Sequence, residues 1–150
     1  MQTFASANDV LDFAIGKEQE AHDFYVVLAG QAANPAMAQA FREFAGEELG
    51  HKAKLQAVKS GEQLLAARSQ VLDLKISDYL VDVEPGTLMT YQQALIVAMK
   101  LEKAAFRLYT DLAALVPAGL RELFLSLAQE EAKHKLRFEL EYDEQILKEN

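Results

Sequence analysis

The chain contains no cysteine and no tryptophan. Without cysteine there are no disulfides, thiolate metal sites, iron–sulfur clusters or Cys nucleophiles. Proline and glycine are scarce, at 3 and 7 in 150 residues, so little interrupts a long helix. No apolar run approaches the ~18 residues of a transmembrane helix. The first residues lack a basic stretch followed by an apolar one, so no signal peptide is expected. Positive charge is in the minority: 15 Lys and Arg face 23 Asp and Glu, for a formal charge of -8. With no basic cluster, neither nucleic acid nor an anionic membrane is an expected partner. These absences point to a cytoplasmic protein.

What is present favours helix. About half of the chain is apolar, enough for the core of one domain spanning 1–150. Apolar residues recur at helical spacing in four stretches, about 9–33, 35–60, 90–116 and 117–149. Ser6, Asn8 and Asp9 offer capping oxygens for the first stretch. Asn34 and Pro35 form an N-cap and first-turn pair for the second, which Gly61 closes as a C-cap. Thr90 and Gln93 form a capping box for the third. Pro117 separates the last two.

Residues 61–89 read as an ordered crossover, with a short helix near Glu62 to Arg68. Pro85 and Gly86 punctuate the crossover, and Val71, Leu72, Leu74, Ile76 and Tyr79 make it too apolar for a free linker. Short, long and short connections predict an all-α fold: a ferritin-like four-helix bundle of two antiparallel hairpins joined by a long crossover.

The two hairpins repeat each other. AIGKEQEAHDFYVVLA (14–29) aligns with AMKLEKAAFRLYTDLA (98–113), matching Glu18 with Glu102 and Tyr25 with Tyr109. FREFAGEELGHKAKL (41–55) aligns with FLSLAQEEAKHKLRF (124–138), matching Glu48 with Glu131 and His51 with His134. Each half therefore carries one Glu within an apolar stripe, then a Glu-x-x-His on the next helix. Residues three apart share a helix face, so four carboxylates and two imidazoles should converge. Four buried, unpaired carboxylates would be costly, and no Lys or Arg recurs at an inward position in both halves. Two divalent cations would balance them. Oxygen-rich sites with one His per ion suit iron or manganese.

One Glu-x-x-His is a weak signal in so Glu-rich a chain, and a solvated polar face is its bland alternative. Two at repeat-equivalent positions, each about 30 residues after a stripe Glu, are a strong one. Glu20, Glu47 and Glu130 read as exposed residues, or as hydrogen-bond partners of the site, rather than ligands. His22, whose repeat partner is Phe106, reads as a rim or packed histidine.

The pattern resembles the rubrerythrin-like branch of the ferritin-like di-iron carboxylate superfamily, over all four helices but not the crossover. The resemblance implies Glu18 and Glu102 as terminal ligands, Glu48 and Glu131 as bridges, and His51 and His134 as one ligand per metal. It implies Tyr25 and Tyr109 as hydrogen-bond donors to the ligands, and two Fe ions as the cofactor, with Mn the alternative. The implied activity is reduction of hydrogen peroxide or dioxygen. A ferroxidase or iron-handling role and a di-manganese catalase-like reaction are the alternatives. Rubrerythrins proper carry a cysteine-rich rubredoxin domain; this chain has no cysteine, so an external electron donor is expected. They also carry a further carboxylate one turn after the third-helix ligand, where this chain has Ala105. Long helical faces make a homodimer the expected assembly.

Overall fold

The computed structural model describes residues 3–61, 74–81 and 89–149. Four long helices dominate: α1 (Ala7–Gln31), α2 (Pro35–Ser60), α3 (Tyr91–Leu115) and α4 (Ala118–Glu149). With 25 to 32 residues each, they reach about 38 to 48 Å at 1.5 Å per residue. α1 packs on α2 and α3 on α4, and the two hairpins meet through α1 and α3. The result is an all-α four-helix bundle.

Local chemistry sets the helix ends. Ser6 Oγ accepts from the Asp9 amide at 3.1 Å, so α1 starts two residues before the expected Asp9. Asn34 Oδ1 accepts from Ala36 N at 2.8 Å, and Pro35 fills the first position of α2. Thr90 and Gln93 bond each other's backbone amides at 3.1 and 3.0 Å, a complete capping box. Gly61 caps α2 at φ -81°, a conformation open to any residue, so its place does not depend on left-handed freedom. Pro117 lies just outside α4 rather than within it.

Of the crossover, residues 74–81 are described. Lys75 forms an isolated bridge with Thr3, and a 3-10 turn runs over Ile76–Tyr79. Tyr79 is buried against the bundle. The expected helix near Glu62 to Arg68, with Val71, Leu72, Pro85 and Gly86, lies outside the described residues. No described helix is long and apolar enough to cross a membrane.

The core is divided in two. One apolar cluster gathers Leu11, Ala14, Leu55, Leu112 and Phe124. The other gathers Tyr25, Leu28, Phe41, Leu95 and Phe138. Along every helix the residues between these clusters include the repeated glutamates and histidines. The two-cluster core therefore sandwiches a polar layer at mid-bundle.

Candidate metal centre

Each helix contributes to that layer where its apolar stripe would otherwise continue. Glu18 lies between Ala14 and Ala21 on α1, and Glu102 occupies the same place on α3. Glu48 with His51, and Glu131 with His134, extend the inward stripes of α2 and α4. None of the six is more than 3% exposed. Among the described residues, Glu141 is the one other buried acid or imidazole, and it accepts from the Tyr91 hydroxyl at 2.6 Å.

The six side chains form two overlapping groups. Glu18, Glu48, His51 and Glu131 each offer a donor atom within 4.8 Å of the others, and so do Glu48, Glu102, Glu131 and His134. Glu48 and Glu131 belong to both. His51 Nδ1 lies 2.8 Å from Glu131 Oε1, 3.5 Å from Glu48 Oε1 and 3.6 Å from Glu18 Oε2. His134 Nδ1 lies 3.2 Å from Glu48 Oε1 and 3.7 Å from Glu102 Oε1. The two imidazole planes are 15° apart with centroids 6.3 Å apart. Phe44 stacks on His134 at 4.2 Å, fixing its tilt.

Four of the six, Glu18, Glu102, His51 and His134, have a partner on one atom, while the atoms facing the centre have none. Tyr25 on α1 donates to Glu102 on α3, and Tyr109 on α3 donates to Glu18 on α1. His51 Nε2 pairs with Glu130 of α4, and His134 Nε2 with Glu47 of α2. These four contacts all run between the hairpins and repeat the internal symmetry of the chain. Glu18 Oε2, both oxygens of Glu48, His51 Nδ1, Glu102 Oε2, Glu131 Oε1 and His134 Nδ1 are buried without a hydrogen bond. Apart from Gln92 Nε2, they are all the buried side-chain atoms so stranded among the described residues. Orphaned polar atoms in a protein interior are costly. Seven aimed at one space are donors that a bound cation would satisfy, so the residues present fit a metal site.

The electrostatics agree. Burial, reinforced by the charge of Glu48, pushes the Glu18 carboxyl up to about 8. Burial also drives Glu131 well above the usual carboxylate range, with the nearby glutamates adding to the shift. Burial alone would lower the His51 imidazole, but the nearby carboxylates, Glu18 foremost, outweigh it and raise it to about 9. His134 is raised to about 11 in the same way by Glu102 and Glu48. Without cations, the layer is tolerable only with protons in their place. Tyr25 and Tyr109 are held well above their ordinary value by burial and the adjacent carboxylates, so both remain donors.

Glu47 and Glu130 reach the histidines from half-exposed positions and are not in the ligand groups. The repeat marked both, but their crosswise pairing with His51 and His134 was not readable from spacing along one helix. His22 stands apart: its Nδ1 is 2.9 Å from Asp23 Oδ1 on the partly exposed side of α1. Tyr79 lines a small cavity against the layer, together with Val81, Ala104 and Ala105. That role depends on the crossover's path and has no sequence signal.

Comparison with known proteins bears on part of the sequence and on the fold. Residues 9–81, just under half of the chain, match the Rubrerythrin family model. Among curated proteins, none matches the chain. A crystal structure from Thermotoga maritima, described as a ferritin-like diiron-carboxylate protein, superposes with a TM-score of 0.77 at 21% identity. The match covers 97% of this chain and 99% of that one, and at that identity it speaks for the fold. The chain is thus similar to rubrerythrin over residues 9–81, shares the fold of that ferritin-like protein, and carries a buried Glu/His layer that could hold metal.

Proposed function

We propose that the layer holds two iron ions, with Glu48 and Glu131 shared between them, and that the protein reduces hydrogen peroxide or dioxygen there. The observation that carries this reading is the overlap of the two four-residue groups at Glu48 and Glu131. Two divalent cations match four carboxylates in charge. Oxygen-rich ligands with one imidazole per ion suit iron or manganese, and the diiron description of the Thermotoga maritima structure favours iron.

Bound ferrous iron would supply one electron per ion, enough to convert hydrogen peroxide and two protons into two waters. The chain's own residues prepare the place for it. Glu130 and Glu47 hold the imidazoles by Nε2 so that Nδ1 points inward, an arrangement that orients a ligand and raises its basicity. Tyr25 and Tyr109 hold one oxygen of Glu102 and Glu18, leaving the other facing the centre. The apolar clusters on either side keep bulk water out. With no cysteine to carry a redox relay, electrons for the next turnover come from a separate donor.

The test is stoichiometric. Protein loaded anaerobically with Fe(II) is mixed with limiting hydrogen peroxide. Two irons oxidised per peroxide, without oxygen release, is the expected result. Oxygen release with no net oxidation would replace this reading by a catalase-type reaction. Oxidation only by dioxygen, with iron then leaving the site, would replace it by iron handling.

A further inference from the structure

The two histidines approach the layer from α2 and α4. A cavity of about 30 Å³ lies on the other side, against Glu18, Glu48, Glu102 and Glu131. That is room for a water-sized or diatomic molecule and far less than an organic substrate needs. Its remaining walls are mainly apolar, with Leu101, Ala105 and Leu108 from α3 and Ala21 from α1. Tyr79 and Val81 of the crossover also border it.

Val81 and Ala104 border a second space as well. This is a surface depression of about 210 Å³ that also touches Leu80, Lys100, Lys103 and Arg107. Val81 and Ala104, shared by both linings, stand between cavity and depression and form the boundary, or neck, separating them. The α1 position equivalent to Ala104 is Glu20, whose carboxylate is 3.0 Å from Lys17 Nζ. Tyr79 beside the neck is fixed, its hydroxyl donating to Asp111 at 2.7 Å and its ring packed on Phe4.

We propose that a small uncharged oxidant reaches the carboxylate layer through the neck at Val81 and Ala104, and that the methyl side chains of Ala104 and Ala105 set its size limit. The proposal rests on the redox reading of the centre given above. Ala105 stands where rubrerythrins have an additional carboxylate. Here its small side chain leaves the space beside Glu102 open. A leucine at either position adds three carbon atoms, enough to fill the inner cavity or close its neck.

Two measurements test this, one of them independent of metal. Xenon binds against apolar walls of protein cavities, here those of Leu101, Ala105 and Leu108. In the metal-free protein it should bind beside Ala105, and Ala105→Leu should abolish that binding. In the iron-loaded protein, hydrogen peroxide should oxidise the site at least about tenfold faster than tert-butyl hydroperoxide, as a steric filter of this kind allows. Ala104→Leu should slow hydrogen peroxide by about tenfold or more at unchanged iron content. Tyr79→Ala, which removes a wall, should narrow the preference between the two peroxides. If Ala105→Leu does not fold, Ala104→Leu at the partly exposed neck decides the matter. Xenon binding indifferent to Ala105→Leu, equal rates with both peroxides, or an unchanged rate in fully loaded Ala104→Leu would overturn the route alone. Absence of bound metal in the unaltered protein would overturn the redox reading, and the route with it.

Discussion

At the scale of single residues, Glu130 and Glu47 do the least visible work. Both are partly exposed, at 41% and 58% for the side chain, yet each holds the Nε2 of a buried imidazole. Partners of this kind typically change metal affinity by about 10–100-fold. Glu130→Ala and Glu47→Ala should each weaken metal binding by that order, measured by chelator competition, with little loss of helix content. Unchanged affinity in both variants would mean that the crosswise contacts do not orient the ligands.

Glu18 and His51 carry the pH dependence. Relative to the unfolded chain, the folded metal-free protein retains an extra proton on Glu18 between about 4.5 and 8, and on His51 between about 6.5 and 9. Where the folded state binds more protons, stability falls as pH rises. Both groups act in the same direction, so the metal-free protein should melt at a lower temperature at pH 9 than at pH 6. Metal bound as proposed would take the place of these protons and flatten the trend. Thermal melts with and without metal across that range provide the check. A metal-free Tm that climbs with pH would contradict the charge assignment.

At the scale of elements, the two halves of the repeat put equivalent aromatics into different clusters. Phe41 packs in one and Phe124 in the other, both fully buried. Replacing either with Ala should cost about 3–5 kcal/mol, as for other large core truncations. Denaturant melts of each variant would show it, and a loss below about 1 kcal/mol would mean that the neighbouring cluster collapses to fill the space. Helix ends were legible because capping is local: Asn34 with Pro35, and Thr90 with Gln93, act within three residues of each other. The inward faces were legible because the repeat printed the same stripe twice. What joins the hairpins was not. Periodicity reports which face a side chain occupies, but not that Tyr25 bonds Glu102 rather than a residue on its own hairpin. The Tyr79 contact and the neck at Ala104 likewise depend on where the crossover runs.

For the whole molecule, the polar layer trades folding stability for a site. Buried carboxylates without partners oppose folding, and the two apolar clusters on either side offset that cost. Cations bound to the folded state alone would add stability by mass action. On the proposed reading, charge balance at the centre would link fold and function more directly than any single side chain. It would also explain why so acidic a chain can place glutamates in its interior.

The most direct measurement is the metal content of the purified chain after anaerobic loading with Fe(II) and removal of excess, by mass spectrometry under native conditions. Two irons per chain are expected, with Glu48→Ala losing the paired occupancy because Glu48 belongs to both candidate groups. No bound metal, or two irons retained in Glu48→Ala, would contradict that expectation.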